Sequence, residues 1–152
     1  MSKKTSIKRV KEDHLPPVSF AINRIELIDS SYNTPENIEL KKGDKFTIRL
    51  KIDLSANIEK STLLVRISSF IVHRDITIVT VIVDNEYSIK NLSTYLVNQK
   101  FKDKNFIEFI ADLSLSHTRG IHATYMSTTM IKNIFLPVVK LSDIVNEPIE
   151  QS

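Results

Sequence analysis

The sequence predicts an α+β fold, a four-stranded antiparallel sheet (meander) covered by a long C-terminal helical region, on three observations. Apolar and polar residues alternate almost without fault from Lys45 to Ser55, and Leu63, Val65 and Ile67 alternate again within Thr62 to His73. A third β-rich run, Ile76 to Val83, follows the turn residues Arg74-Asp75. Past Asn105 the period changes: Phe106, Phe109, Ile110 and Leu113 recur at helical spacing.

The elements follow in order. Residues 1 to 17 are charged, end in Pro16-Pro17 and are expected to be a flexible basic leader. Val18, Phe20 and Ile22 then alternate with Ser19, Ala21 and Asn23 before the phase shifts to Ile25 and Leu27, which predicts a first strand with a bulge near Arg24. Asp29 to Gly43 is rich in Ser, Asn and Pro and is expected to be a long loop ending in the turn Lys42-Gly43-Asp44.

In the second strand Phe46, Ile48, Leu50, Ile52 and Leu54 share one face, and Thr47, Arg49, Lys51 and Asp53 the other. The third strand adds Leu64, Phe70 and Val72 to the face opposite Leu63, Val65 and Ile67, which suits a central or interfacial strand. The fourth is expected to end at Asp84-Asn85. A short helix around Leu92 to Val97 is possible. The covering helix ends either at Gly120 or near Asn133. The loose spacing of Ile121, Tyr125, Thr128 and Ile131 favours continuation, with Gly120 admitting a close neighbour. The domain is expected to span residues 18–145, with a C-terminal tail at 146–152.

Composition narrows the function classes. With 152 residues, 41% hydrophobic and 26% charged, the chain has the size and make-up of one folded domain. It contains no cysteine, which excludes disulfides and thiolate chemistry and fits a reducing compartment. No apolar run reaches the roughly 18 residues that span a bilayer, so a cytoplasmic location without membrane insertion is expected. Of the 21 basic residues, Lys3, Lys4, Lys8, Arg9 and Lys11 precede the first acid, leaving 16 against 18 acidic residues and a net charge near −2 for the chain past Lys11. The alternative function is contact of the basic tail with nucleic acid or a membrane surface.

No reaction centre emerges, and neither cofactor nor metal is expected. His73-Arg74-Asp75 imitates the start of a kinase catalytic loop, but Thr80 stands where the Asn belongs, and the chain has only two Gly, so the triplet is taken as a turn. His117 and His122 are five apart, which places them on different helix faces and argues against zinc. The four Tyr are scattered rather than interleaved with cations. Leu64, Phe70, Val72, Val79, Val81 and Val83 exceed what one helix covers, so a homo-oligomer, a partner or a greasy groove is expected.

Phe20, Ile22, Arg24 and Ile25 in the first strand, the helix Phe109 to Gly120 ending in Arg119-Gly120, and the apolar tail Leu136-Pro137-Val138-Val139 through Ile144 occur in an order that resembles the SecB family of export chaperones. The resemblance covers most of residues 18 to 145. It implies a tetrameric holdase that keeps client chains unfolded, as in protein export. Its client surface is expected along Phe46, Ile48, Leu50, Ile52, Leu63, Val65 and Ile67 with Phe109 and Leu113, and its oligomer interface at Phe70, Val72, Val79, Val81, Arg119 and Gly120. For Arg119 a pair with Asp112 or Glu108 is the alternative. The resemblance also implies the SecA motor as a partner, but SecA docking relies on strong acidity, which a body near −2 lacks. A dedicated client such as an antitoxin suits the chain better than general export.

Overall fold

A computed structural model describes residues 17–33, 39–129, 131, 133–134, 136–137 and 150–151. Strands β1 (Phe20–Tyr32), β2 (Thr47–Asn57), β3 (Thr62–His73) and β4 (Ile76–Ile89) are followed by the short helix α1 (Leu92–Tyr95). The small hairpin β5 (Leu96–Val97) and β6 (Lys100–Phe101), the long helix α2 (Lys104–Met126) and the two-residue strand β7 (Glu150–Gln151) complete the order. The expected α+β architecture is present: a four-stranded antiparallel sheet with a C-terminal helix across it.

The sheet order is β1-β4-β3-β2, with β7 added outside β2. Strands β2, β3 and β4 are successive hairpins, and β1 lies against β4, so β1 and β2 are the outer long strands. The hairpin turns are made by residues that take the left-handed conformation, as two-residue turns between right-twisted strands require. Arg74 and Asp75 have φ of 49° and 63°, and Asn98 and Gln99 repeat the device with 51° and 61°. Gly43, at φ 96°, closes the turn before β2, where the Asp44 carboxylate accepts from the Lys41 amide at 2.7 Å.

Two strands outrun their expected ends. β1 continues through Asp29 to Tyr32, because Ser30, Ser31 and Tyr32 lie beside Val81, Thr80 and Val79 of β4 and the ladder outweighs their turn propensity. β4 continues past Asp84-Asn85 to Ile89 because both polar residues find partners within the sheet. Asp84, 3% exposed, accepts from Arg66 Nε and Nη2 at 2.7 and 2.8 Å, and Asn85 Nδ2 donates to the Val65 carbonyl at 3.4 Å. The Asp84 carboxylate holds the Arg66 guanidinium above its usual pKa. The bulge expected near Arg24 lies between Ile22 and Arg24, and a second lies between Leu27 and Asp29.

Asp103 caps α2, its carboxylate accepting from the Phe106 amide at 3.0 Å. The helix passes through Gly120, as favoured, but stops at Met126, short of Asn133. Ser127, Thr128 and Thr129 turn their hydroxyls back onto the carbonyls of Thr124, Tyr125 and Met126, and that competition with the backbone ends the helix. Gly120 is exposed, and a Cβ built there meets nothing within 4 Å, so no neighbour within the chain requires this glycine. Gly120→Ala is therefore expected to stabilise the isolated chain by about 1 kcal/mol through helix propensity, read as a higher denaturant midpoint at unchanged m-value.

α2 packs chiefly on β3, β4 and β1. Its inward face is apolar at Phe106, Ile107, Ile110 and Leu115 and polar at Ser114, Thr118 and His122. The core divides accordingly. One cluster gathers Leu63, Val65, Ile67, Tyr87 and Ile89 under the first half of the helix, and another gathers Ile71, Val79, Val81, Val83, Met126 and Ile131 near its end. Where the clusters meet, the inward positions of β3 and β4 are Ser69 and Asn85, both fully buried.

Candidate functional site

Among the described residues two apolar surfaces stay open, one along each outer strand. The first is β1. Phe20, Ile22, Ile25 and Leu27 lie opposite Ile89, Tyr87, Asn85 and Val83 of β4, which puts them on the side that carries α2. Yet Ile22, Ile25, Leu27 and Ile28 remain 41–47% exposed, because β1 is the sheet margin and α2 does not reach past it. Among the described residues no strand lies on the outer side of β1. Phe109 of α2, 52% exposed, extends this surface and meets Phe20 edge-on at 5.8 Å. Farther along, Leu27, Gly120, Ile121, Thr124 and Tyr125 line a pocket of about 340 Å³. The charges of β1 point to the opposite side of the sheet, where Arg24 pairs with Glu26 and lies 3.8 Å from Glu86.

The second surface is β2. Ile48, Leu50, Ile52 and Leu54 face the core side but stay half-buried, whereas Leu63, Val65 and Ile67 of the neighbouring β3 are fully buried. The difference is coverage, since the helix sits over the inner strands. Phe46, at the foot of the row, lines a cavity of about 380 Å³ with Leu40, Gly43, Ile131 and Ile134. It lies against His73, which bonds through Nδ1 to the Lys45 carbonyl at 2.9 Å.

The expected client set divides along this line. Phe46, Ile48, Leu50 and Ile52 form the half-open row on β2, while Leu63, Val65 and Ile67 are core under α2 and offer nothing to a client while the helix is docked. Phe109 and Leu113 lie at the opposite margin, near Phe20, so they belong to the β1 surface.

The expected interface set is also scattered. Val79 and Val81 are buried in the core. Phe70 and Val72 are on the sheet face away from α2, beside Arg49, Lys51 and Thr77 around a pocket of about 330 Å³. Arg119 Nη2 donates to the Pro137 carbonyl at 2.8 Å, which ties the chain after α2 back onto the helix; its partner is neither Asp112 nor Glu108. Gly120 alone of the set borders the β1 surface. The set lacks Ile22, Ile25, Leu27 and Ile28, whose apolar character is plain in the sequence but whose position at an uncovered margin depends on where the helix stops across the sheet.

The polar seam under α2 is a structural feature with a pH signature. Tyr87 Oη and Ser114 Oγ lie 2.7 Å apart, and burial pushes the Tyr87 phenol up. His117 Nδ1 is 2.9 Å from Asn85 Oδ1, and His122, 1% exposed, has no partner at Nε2. Burial holds both imidazoles below the ordinary histidine pKa. As pH falls through about 6.5 the unfolded chain takes up these protons before the folded one, so the fold loses stability from there down to the depressed folded values. The melting temperature is expected to drop between pH 7.5 and pH 5, by about 2–4 °C per kcal/mol lost, and His122→Gln to flatten that slope. Thermal unfolding followed by circular dichroism reads both.

Among the described residues no cluster of three or more His, Asp or Glu side chains is placed to hold a metal ion, and no helix is long and apolar enough to cross a membrane. No family model and no curated protein matches the chain.

Proposed function

We propose that this chain is a SecB-like holdase: it assembles through the margin of β1 and keeps non-native polypeptides from aggregating by burying their apolar segments along β2, acting in the cytoplasm and without nucleotide or cofactor. The observation that carries the reading is the open β1 margin, a 13-residue outer strand with four large apolar side chains more than two-fifths exposed. A strand edge of that kind invites another strand, and proteins that stay single blunt such edges with charge, proline or cover.

The sequence of β1 favours a second copy as the occupant, in one register. Between its two bulges the strand is regular from Arg24 to Leu27. If two copies pair antiparallel about an axis through Ile25, Arg24 of each faces Glu26 of the other, and the Ile25 side chains meet on the α2 side. Shifting the axis to Arg24 or to Glu26 sets like charges opposite one another.

Client binding then falls to the β2 row. An extended segment that buries on the order of 800 Å² of apolar surface gains roughly 20 kcal/mol gross, most of it cancelled by ordering and association costs. Each site is weak, and repetition around an oligomer supplies the avidity. The experiment is aggregation of two unrelated denatured proteins followed by light scattering, with the full chain and with residues 1–16 removed. Equal suppression by both forms is expected. Absence of suppression refutes the holdase, and suppression lost with the leader transfers the activity to the basic tail.

A further inference from the structure

We propose that β7 is a placeholder on the client edge, a proposal that rests on the holdase reading: the backbone of Glu150–Gln151 occupies a stretch of β2 that an extended client segment takes over when it adds as a strand, so client and β7 exclude one another. The sheet has two outer long strands, and only one of them carries a guest among the described residues. β7 lies beside the end of β2 with Ser55 opposite Glu150 and Ala56 opposite Gln151. That pairing is parallel, while all the other pairings of the sheet are antiparallel. It joins segments about ninety-five positions apart and is not the return arm of a hairpin. The β2 edge therefore accepts a strand that arrives from elsewhere.

The rest of the edge is suited to a longer guest. From Thr47 to Leu54 no strand flanks β2 on its outer side among the described residues. A peptide laid there exchanges backbone hydrogen bonds with β2 whatever its sequence, and sends alternate side chains to the two faces of the sheet. One set meets the half-buried row of Ile48, Leu50 and Ile52, and the other passes the exposed Arg49 and Lys51. The occupant is thus an extended segment with apolar residues at every second position and acidic or neutral polar ones between. The chain's own end shares the mix of apolar and acidic residues but not the strict alternation, with Ile144, Val145 and Ile149 among Asp143, Glu147 and Glu150. A pairing of two described residues is short beside an extended client, which suits a guest that must yield to a longer one and meanwhile shields the edge from other strands.

The probe is reduced, carboxymethylated α-lactalbumin, titrated by fluorescence anisotropy against the full chain and against a chain ending at residue 147. The truncated chain is expected to bind about 5- to 10-fold more tightly, the factor by which a competing internal strand lowers the available fraction of sites. A synthetic peptide of residues 143–152, added in excess, restores the weaker affinity. Hydrogen exchange at the amides of residues 54–57 is expected to speed up on truncation, and in the full-length double variant Glu150→Pro/Gln151→Pro, which cannot donate to the ladder. Equal affinity of the full and truncated chains, or exchange unchanged by truncation, overturns the placeholder and leaves the holdase standing. If neither chain binds the probe, the holdase reading itself fails and the placeholder with it.

Discussion

Ile25→Lys is expected to separate the oligomer into single copies without unfolding them. Ile25 lies midway along the regular part of β1 and is 41% exposed, so little of the chain's own core depends on it. In the proposed pairing it sits on the two-fold axis, and one substitution acts twice. Two buried isoleucine side chains are lost and two ammonium groups are brought face to face, a combined cost of about 3–4 kcal/mol and hence about 10²- to 10³-fold weaker association. Sedimentation velocity over a concentration series reads the dissociation, and the far-ultraviolet circular dichroism should stay that of the parent. The absence of cysteine permits a positive counterpart. Ile25→Cys is expected to form a disulfide-linked pair on mild oxidation, since residues facing each other across such an axis hold their Cα atoms about 4.5–5.5 Å apart, within the range a disulfide spans. Ile28→Cys, beside the second bulge and off the axis, should link poorly.

The triple substitution Ile48→Thr/Leu50→Thr/Ile52→Thr should abolish holding while leaving assembly intact. The three side chains are half-buried on the outer strand, and threonine keeps the strand preference while removing apolar contact. At about 1 kcal/mol for each lost contact, client affinity falls on the order of 100-fold. Isothermal titration with an unfolded probe measures it, and solution mass serves as the control for assembly. The same exchange at Leu63, Val65 and Ile67 probes another property, because those side chains are fully buried under α2 and their loss lowers the stability of the domain. Ile25→Lys differs from both: each copy keeps its β2 row, so binding to one site persists and only avidity is lost.

Much of this organisation is legible in the sequence, and the limits of that legibility have physical causes. Period-two alternation fixes which residues share a face, so β2 and β3 were found within two residues of their ends. Alternation does not say how far a helix reaches across a sheet. Hence Ile48 and Val65 look alike in sequence although one is half-open and the other sealed. β4 has apolar residues on both faces, which suggested an interface at Val79 and Val81; its place between β1 and β3 makes them core instead. The β1 margin is not legible for the converse reason, that an ordinary amphipathic strand becomes an exposed apolar edge only through its position in the strand order. The early end of α2 was legible in principle, in the run Ser127-Thr128-Thr129, whose hydroxyls compete for helix carbonyls. β7 has no local signal, because a two-residue parallel pairing over so long a separation leaves no periodicity to read.

Assembly and client holding both depend on apolar strand margins that one copy of the chain leaves open. The most direct measurement is the mass of the untagged protein in solution, by sedimentation equilibrium at micromolar concentration and moderate salt. A value that is a multiple of 17.4 kDa, falling to that of one chain in Ile25→Lys, is the predicted result. A parent protein that sediments as a single 17.4 kDa chain at every concentration contradicts it.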